Sequence, residues 1–325
     1  MKLKTFRQKF GTILLGDEMK EKLNRVVIIG CGNVGMSYAY ALLNQRTYVN
    51  ELYLIDINVD RIKGEVMDLN SCLSYAPSKM SIHVGEYKDC ESADLVVIAA
   101  GVNQKPGETR MDLIDKNAAI FKNIISSVMN TGFNGIFLVA TNPLDVMTYL
   151  TYKYSGLPPE RVIGSGTSLD SARLKEIIGK KLCISPKNIE AYVIGEHGDS
   201  EFVPWSNANI GMQNIREYLL DQDLVNIEND VRNQAYEIIK AKGATYYGIG
   251  MALVRITNAI LGNEHAVIPM SVYDKINDVY FGKPAVVGAN GISKIIQLKL
   301  NLEEERKLQN SIDKIKEAIK HVENN

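Results

Sequence analysis

No stretch of this 325-residue sequence offers the roughly 20 consecutive apolar residues that a membrane-spanning helix needs. Charge of one sign is missing too. Lys and Arg total 37 against 38 Asp and Glu, a net charge of −1, which leaves no electrostatic footprint for nucleic acid or an anionic membrane. Cysteine is sparse: Cys31, Cys72, Cys90 and Cys183 are scattered, with no CxxC pair. That spacing argues against a disulfide framework and a structural zinc site, predicts no bound metal, and fits a reduced cytoplasmic protein. There is no Ser/Gly linker, no low-complexity stretch and no internal repeat. Histidine is scarce at four residues, so any imidazole chemistry rests on His83, His197, His265 or His321.

At 46% hydrophobic and 23% charged, the composition is that of an ordinary globular chain. Its length is too great for one simple core and predicts two packed lobes. The first half alternates two hydrophobic periods. Val26–Ile29, Leu52–Ile55, Leu95–Ala100 and Ile136–Ala140 are short apolar runs suited to buried parallel strands. Between them Val34–Leu43, Arg61–Leu69 and Leu113–Met129 have helical pattern. Repeated strand, helix, strand order predicts an α/β Rossmann-type doubly wound parallel sheet. The second half reads as a mixed α+β catalytic domain of shorter strands and amphipathic helices such as Leu224–Lys240 and Glu303–Val322. In the last of these Leu308, Ile312, Ile315, Ile319 and Val322 share one face, expected to pack on the chain's own core. The junction falls near Arg161–Gly166, giving one domain over 22–164 and a second over 165–325.

Residues 1–21 stand apart. Lys2–Phe10 is basic, but the apolar patch Gly11–Gly16 is too short for a signal-peptide core, and Asp17 and Glu18 interrupt it. Met19 would itself serve as a compact start, so this segment reads either as an upstream translation start or as an arm that packs on a partner subunit.

The first predicted strand ends in Gly30-Cys31-Gly32-Asn33-Val34-Gly35, a GxGxxG that opens a helix. Such a loop is weak alone and informative in that context. Gly30 would permit the tight turn, Gly32 the approach of backbone to a pyrophosphate, and Gly35 close helix–sheet packing. The helix N-terminus then offers free N–H groups to phosphate. Asp56 closes the second strand at the separation expected of a carboxylate that accepts from the adenosine ribose hydroxyls, which favours NAD over its 2′-phosphorylated form. A strand-end Asp also caps turns, but taken with the glycine loop and the alternating strand–helix pattern the dinucleotide reading prevails.

Hydride transfer from an alcohol needs a base for the hydroxyl proton, a cation for a carboxylate and a polariser for the carbonyl. His197 lies in Gly195-Glu196-His197-Gly198, where glycines let backbone and ligand approach. His83 alternates with apolar neighbours on a predicted strand, His265 falls in a loop and His321 on the exposed terminal helix. Asp170 and Arg173 are three apart, on one helix face. They read as a local ion pair, or as an imidazole partner and a carboxylate clamp. The segment Gly101–Arg110, rich in Gly, Pro and polar residues, follows a strand at the sheet's carboxyl edge and suits a lid.

From Arg25 to Val322 the motifs GCGNVG, AGVNQKPGETR, ATNPLDV, GSGTSLDSAR, GEHGDS and KGATYYGIG follow one another in the order found in bacterial L-lactate dehydrogenases, which the chain resembles. The resemblance implies reversible NAD-dependent conversion of (S)-lactate to pyruvate. It makes His197 the proton donor and acceptor, Asp170 its orienting partner, Arg173 the carboxylate clamp and Arg110 the carbonyl polariser. Asn142 would bond the reacting oxygen. Val34, Arg61, Tyr87, Gly101, Val102, Asn123, Ala140, Asn142 and Ser165 join Gly30, Gly32, Gly35 and Asp56 around NAD. Gln104 would select the substrate side chain, where malate dehydrogenases carry an arginine, and Thr245 would crowd the methyl end of pyruvate. A homotetramer is implied. Lys175 and Glu190 replace the arginine and histidine that bind fructose 1,6-bisphosphate in many relatives. A carboxylate facing phosphate argues against activation, and a Lys175–Glu190 salt bridge is expected instead. A dehydrogenase for larger 2-hydroxy acids and a catalytically silent NAD-binding protein are the alternative readings.

Overall fold

The computed structural model describes residues 23–102 and 110–324, so the N-terminal extension 1–21 lies outside the described residues. Strands β1 (Arg25–Ile29), β2 (Glu51–Ile55), β3 (Ser81–Val84), β4 (Leu95–Ile98), β5 (Ile136–Val139) and β6 (Val162–Gly164) are all parallel and lie in the order β3-β2-β1-β4-β5-β6. Helices α1 (Asn33–Leu43), α2 (Val59–Cys72), α3 (Arg110–Met129) and α4 (Leu144–Ser155) connect them, and α5 (Ser168–Leu182) follows β6. The order reverses between β1 and β4, which opens the crevice where doubly wound folds bind ligands.

Unbroken apolar strands arise because both faces are covered. Val26 and Ile28 join a core with Leu42, Leu52 and Leu54, whereas Val27 and Ile29 join Val96, Ile98, Phe121 and Phe137 on the other side. Alternation of period two thus buries every residue of the run.

The second half departs from the expected short strands. A small sheet of β7 (Ile189–Glu190), β8 (Asn209–Ile210) and β9 (Gln213–Asn214) is followed by β10 (Ala266–Asp274), β11 (Val279–Gly288) and β12 (Gly291–Ile295). Strands β10 and β11, at 9 and 10 residues, are longer than any in the first half. Pro269 faces Pro284 across this antiparallel pair, and Gly282 and Gly288 also interrupt the apolar pattern, which conceals the length of both strands. The ribbon extends the parallel sheet through Ser271 of β10 beside Gly164 of β6.

Helix α6 (Asp221–Lys242) packs with α5 over a third core of Leu174, Ile178, Trp205, Leu224 and Val231. Helix α7 (Tyr247–Leu261) lies against α1, joined by a hydrogen bond between Tyr38 Oη and Thr257 Oγ1 at 2.6 Å. Helix α8 (Leu302–Glu323) turns the stripe Leu308, Ile312, Ile315, Ile319 and Val322 onto the chain's own core beside α3 and α4, as the sequence pattern predicts. Its N-terminus is set by Asn301, whose side chain accepts from the N–H groups of Glu303 and Glu304. No described helix is long and apolar enough to cross a membrane.

Candidate active site

Two constellations meet at the carboxyl edge of the sheet. The first is the glycine loop after β1. Gly30 has φ +93°, and a Cβ there would lie 2.3 Å from the Ala100 nitrogen at the end of the β4 segment. A Cβ on Gly35 would fall 2.1 Å from the Gly30 carbonyl oxygen. Around Gly32 nothing lies within 4 Å of such an atom, and no side chain caps α1 at this position. The loop is therefore closed against the sheet at both ends and open at its crown, the shape that lets backbone N–H groups approach a diphosphate. Asp56 accepts from Cys31 N at 2.8 Å and from Asn58 N at 3.0 Å. It holds the glycine loop and caps the turn at once, and each oxygen keeps a lone pair for a ribose hydroxyl.

The second constellation is a cavity of about 260 Å³ lined by Val34, Ala140, Asn142, Ser165, Asp170, Arg173, His197 and Thr245, among others. Asp170, 2% exposed on α5, accepts from both chemical groups beside it. Its Oδ2 lies 2.7 Å from His197 Nδ1 and its Oδ1 2.9 Å from Arg173 Nη1. One carboxylate thus ties the imidazole to the guanidinium and contacts both at once. Nδ1 is committed to Asp170, which leaves Nε2 as the nitrogen available to a ligand. Arg173 Nη2 reaches toward Thr245 Oγ1 at 3.5 Å, and both residues line the cavity.

The electrostatics follow from burial. Desolvation works to lower the His197 pKa, but the Asp170 carboxylate more than reverses this and the group is pushed up to about 9. Burial raises Asp170, and the facing imidazolium and Arg173 outweigh it, so its pKa is held below the ordinary carboxylate value. Glu201 also lines the cavity and is nearly buried; desolvation, with repulsion from Asp170, raises it to about 9. One of its carboxylate oxygens lies within 4.8 Å of a carboxylate oxygen of Asp170 and a ring nitrogen of His197.

The structure adds supports that the sequence pattern does not reveal. Asp145, in the first turn of α4, accepts from His197 N at 2.8 Å and from Ser271 Oγ at 2.5 Å. Its burial raises its pKa to about 6 against those hydrogen bonds. Asn117, fully buried on α3, accepts from Val102 N at 2.9 Å and donates to the Asn142 carbonyl at 2.9 Å. It joins the segment after β4 to the loop that carries Asn142. Asp in a first helical turn reads as a complement to the helix dipole, and a single Asn on a helix carries no pattern, so neither had a usable sequence signal.

Other predicted residues fall away from the cavity. Arg61 pairs with Glu65 at 3.2 Å on α2, Tyr87 packs half-buried against the core after β3, and Asn123 lies exposed on α3. Gly101 and Val102 follow β4 beside Asn117. Gln104 lies outside the described residues, as does the side chain of Arg110, which begins α3. The expected Lys175–Glu190 salt bridge is not formed. Lys175 Nζ instead sits 5.1 Å from the centre of the Tyr192 ring, within the range where the negative face of the ring attracts the ammonium. Of the remaining histidines, His83 is on β3 stacked on Tyr53 at 4.8 Å, and His265 precedes β10 in a loop. His321 is not simply exposed: its Nε2 lies 3.1 Å from Asp115 of α3.

Residues 24–164 match the family model described as lactate/malate dehydrogenase, NAD binding domain, and residues 167–325 match its alpha/beta C-terminal domain. The chain belongs to the lactate/malate dehydrogenase family. Among its relatives, the L-lactate dehydrogenase of Geobacillus sp. (strain WCH70) is 52% identical over 310 residues, 92% of this chain and 97% of that one. L-lactate dehydrogenase 2 of Bacillus anthracis is 49% identical over 314 residues, 94% of this chain and 100% of that one. Among solved structures, a lactate dehydrogenase from a Medee basin deep-sea metagenome library superposes with a TM-score of 0.90 at 51% identity, covering 93% of this chain and 99% of that one. The minor L-lactate dehydrogenase of Enterococcus mundtii, in its ligands-bound form, gives 0.90 at 44% identity, with the same coverage of 93% and 99%. The Rossmann assignment and the NAD-binding character of the first half rest on these matches together with the strand order.

Proposed function

We propose that this chain is an NAD-dependent L-lactate dehydrogenase that interconverts (S)-lactate and pyruvate. The observation that carries the reading is the bridge His197–Asp170–Arg173 opening into one cavity with Asn142 and Thr245. Bound in the crevice, NAD supplies the acceptor and donor of the hydride. The glycine loop fits its diphosphate and Asp56 its ribose. Arg173 offers its planar fork to the substrate carboxylate. His197 Nε2 takes the hydroxyl proton from lactate and returns it to the carbonyl oxygen of pyruvate, while Asp170 stabilises the imidazolium. Asn142 bonds the same oxygen, and Arg110 is assigned to polarise the carbonyl. This convergence favours an enzyme over a silent nucleotide-binding protein.

Pyruvate reduction requires the imidazolium, so kcat/KM for pyruvate is expected to hold at neutral pH and fall as pH rises through about 9. Lactate oxidation requires the neutral ring and is expected to rise over the same window. The contribution of this raised pKa to stability runs in the same direction: present in full below the ordinary value of 6.5 and lost as pH rises through about 9. A pH profile with no limb between pH 8 and pH 10 would remove His197 from the proton step.

Substrate choice is assigned to Gln104 and Thr245. A neutral amide gives a second carboxylate no partner, a penalty of several kcal/mol, so pyruvate is expected to be preferred to oxaloacetate. Gln104→Arg is expected to shift the ratio of kcat/KM toward oxaloacetate by at least about tenfold, which corresponds to ~1.4 kcal/mol. Steady-state rates of NADH oxidation with both substrates test this; an unchanged ratio defeats the assignment. Profiling 2-oxo acids of increasing side-chain size separates this reading from a dehydrogenase for larger hydroxy acids, because Thr245, assigned to crowd the substrate's methyl end, lines the cavity beside Arg173.

Fructose 1,6-bisphosphate is expected to leave the apparent KM for pyruvate unchanged, since Lys175 is engaged on Tyr192 and Glu190 would repel phosphate. A large fall in KM on adding the sugar phosphate contradicts this. A cytoplasmic homotetramer completes the reading, and light scattering measures the assembly.

A further inference from the structure

The buried stripe of α8 contains a polar residue where an apolar one belongs. Ser311 stands between Leu308 and Ile315 on the packed face and is fully buried. Its hydroxyl is used entirely on the loop that carries His197. Ser311 Oγ accepts from Glu196 N at 2.8 Å and donates to the Ser200 carbonyl at 3.0 Å, closing the two ends of the segment 196–200 onto one atom. Ser200 Oγ lies 3.0 Å from the same oxygen and donates to Glu196 Oε2. The backbone yields to make the contact. Gly195 adopts φ +94°, and a Cβ there would lie 2.6 Å from Ser311 Oγ.

A second clasp from the same helix lies further along the segment. Glu304, also buried, accepts from Ser206 N at 2.9 Å. Helix α8 therefore grips the chain on both sequence sides of His197, at Glu196 before it and at Ser200 and Ser206 after it, while Asp145 of α4 accepts from His197 N itself. Between these grips the imidazole is presented to Asp170 at 2.7 Å.

We infer that Ser311 is a positioning residue for His197: the C-terminal helix sets the imidazole against Asp170 through one hydroxyl. The inference rests on the proposed role of His197 as proton donor. Without the hydroxyl, the Glu196 N–H and Ser200 carbonyl lose their shared partner and the loop is free to drift. A drift of about 1 Å at a catalytic group is enough to cost on the order of 10²-fold in rate. The structural alternative is that Ser311 merely satisfies two backbone groups and stabilises the fold.

Ser311→Ala in the full chain separates the two. NADH affinity by fluorescence is expected to be unchanged, kcat for pyruvate to fall on the order of tenfold, and the alkaline limb to move toward lower pH. The imidazole is also read without turnover, by NMR titration of ¹³C-labelled histidine with the His197 signal assigned from its loss in His197→Asn. In Ser311→Ala the His197 pKa is expected to fall by about one unit as its contact with Asp170 loosens. Should Ser311→Ala fail to fold, Ser311→Cys keeps a weak donor and acceptor of similar size, and a smaller shift in the same direction is expected. A folded variant with the wild-type His197 titration overturns the inference, whatever its melting temperature. An inactive wild type with the raised titration intact would instead count against the lactate reading and leave the positioning test standing on the NMR result.

Discussion

Replacing His197 by Asn is expected to lower kcat for pyruvate reduction by roughly 10²–10⁴, the usual contribution of a positioned acid–base group. Asparagine occupies a similar volume and keeps a hydrogen-bonding group near Asp170, but it carries no transferable proton at neutral pH. The glycine loop and Asp56 are untouched, so NADH affinity is expected to hold. Stopped-flow or steady-state absorbance of NADH, paired with a fluorescence titration of NADH, measures both quantities. A near-normal kcat would send the proton elsewhere. Glu201 is then the group to examine, because desolvation lifts this cavity-lining carboxyl to about 9 and keeps it protonated at neutral pH.

Arg173→Leu is expected to act on binding more than on turnover. The guanidinium is 8% exposed and already paired with Asp170, so its remaining nitrogens are preorganised for an anion. Removing one partner of a desolvated charge pair costs about 2–5 kcal/mol, or roughly 30- to 5,000-fold in affinity. That loss is expected in KM for pyruvate, with NADH affinity unchanged. Arg173→Lys keeps the charge and forfeits the fork, so an intermediate KM is expected. A KM in Arg173→Leu equal to that of the wild type would place the carboxylate somewhere else.

The first half of the fold was legible because its physics is local. Val26–Ile29 and its counterparts are apolar on both faces and end at glycine or polar residues, and the structure buries them between two helical layers. The glycine loop was legible for a similar reason: its context, strand then helix, is written in contiguous residues. Strands β10 and β11 were not, since Pro269 and Pro284 break the pattern at positions that only the pairing of the two strands accommodates. The site divides in the same way. Asp170 and Arg173 share a helix face that spacing reveals, but the approach of His197, 27 residues along the chain from Asp170, is a tertiary event. Only the resemblance to a family supplied it in advance. Asp145, Asn117 and Ser311 were invisible because each acts by hydrogen bonding to backbone far along the chain, which leaves no periodicity to read.

The proposed chemistry turns on an imidazolium and a guanidinium gripping one bound 2-oxo acid. Oxamate, which is shaped like pyruvate and is not reduced, reports that grip directly through its Kd for the NADH complex, followed by fluorescence from pH 6 to pH 10.5. The expected Kd is flat at neutral pH and then rises about tenfold per unit once His197 loses its proton above about 9. A Kd that stays level through pH 10.5, or no binding at all, would contradict the proposed chemistry.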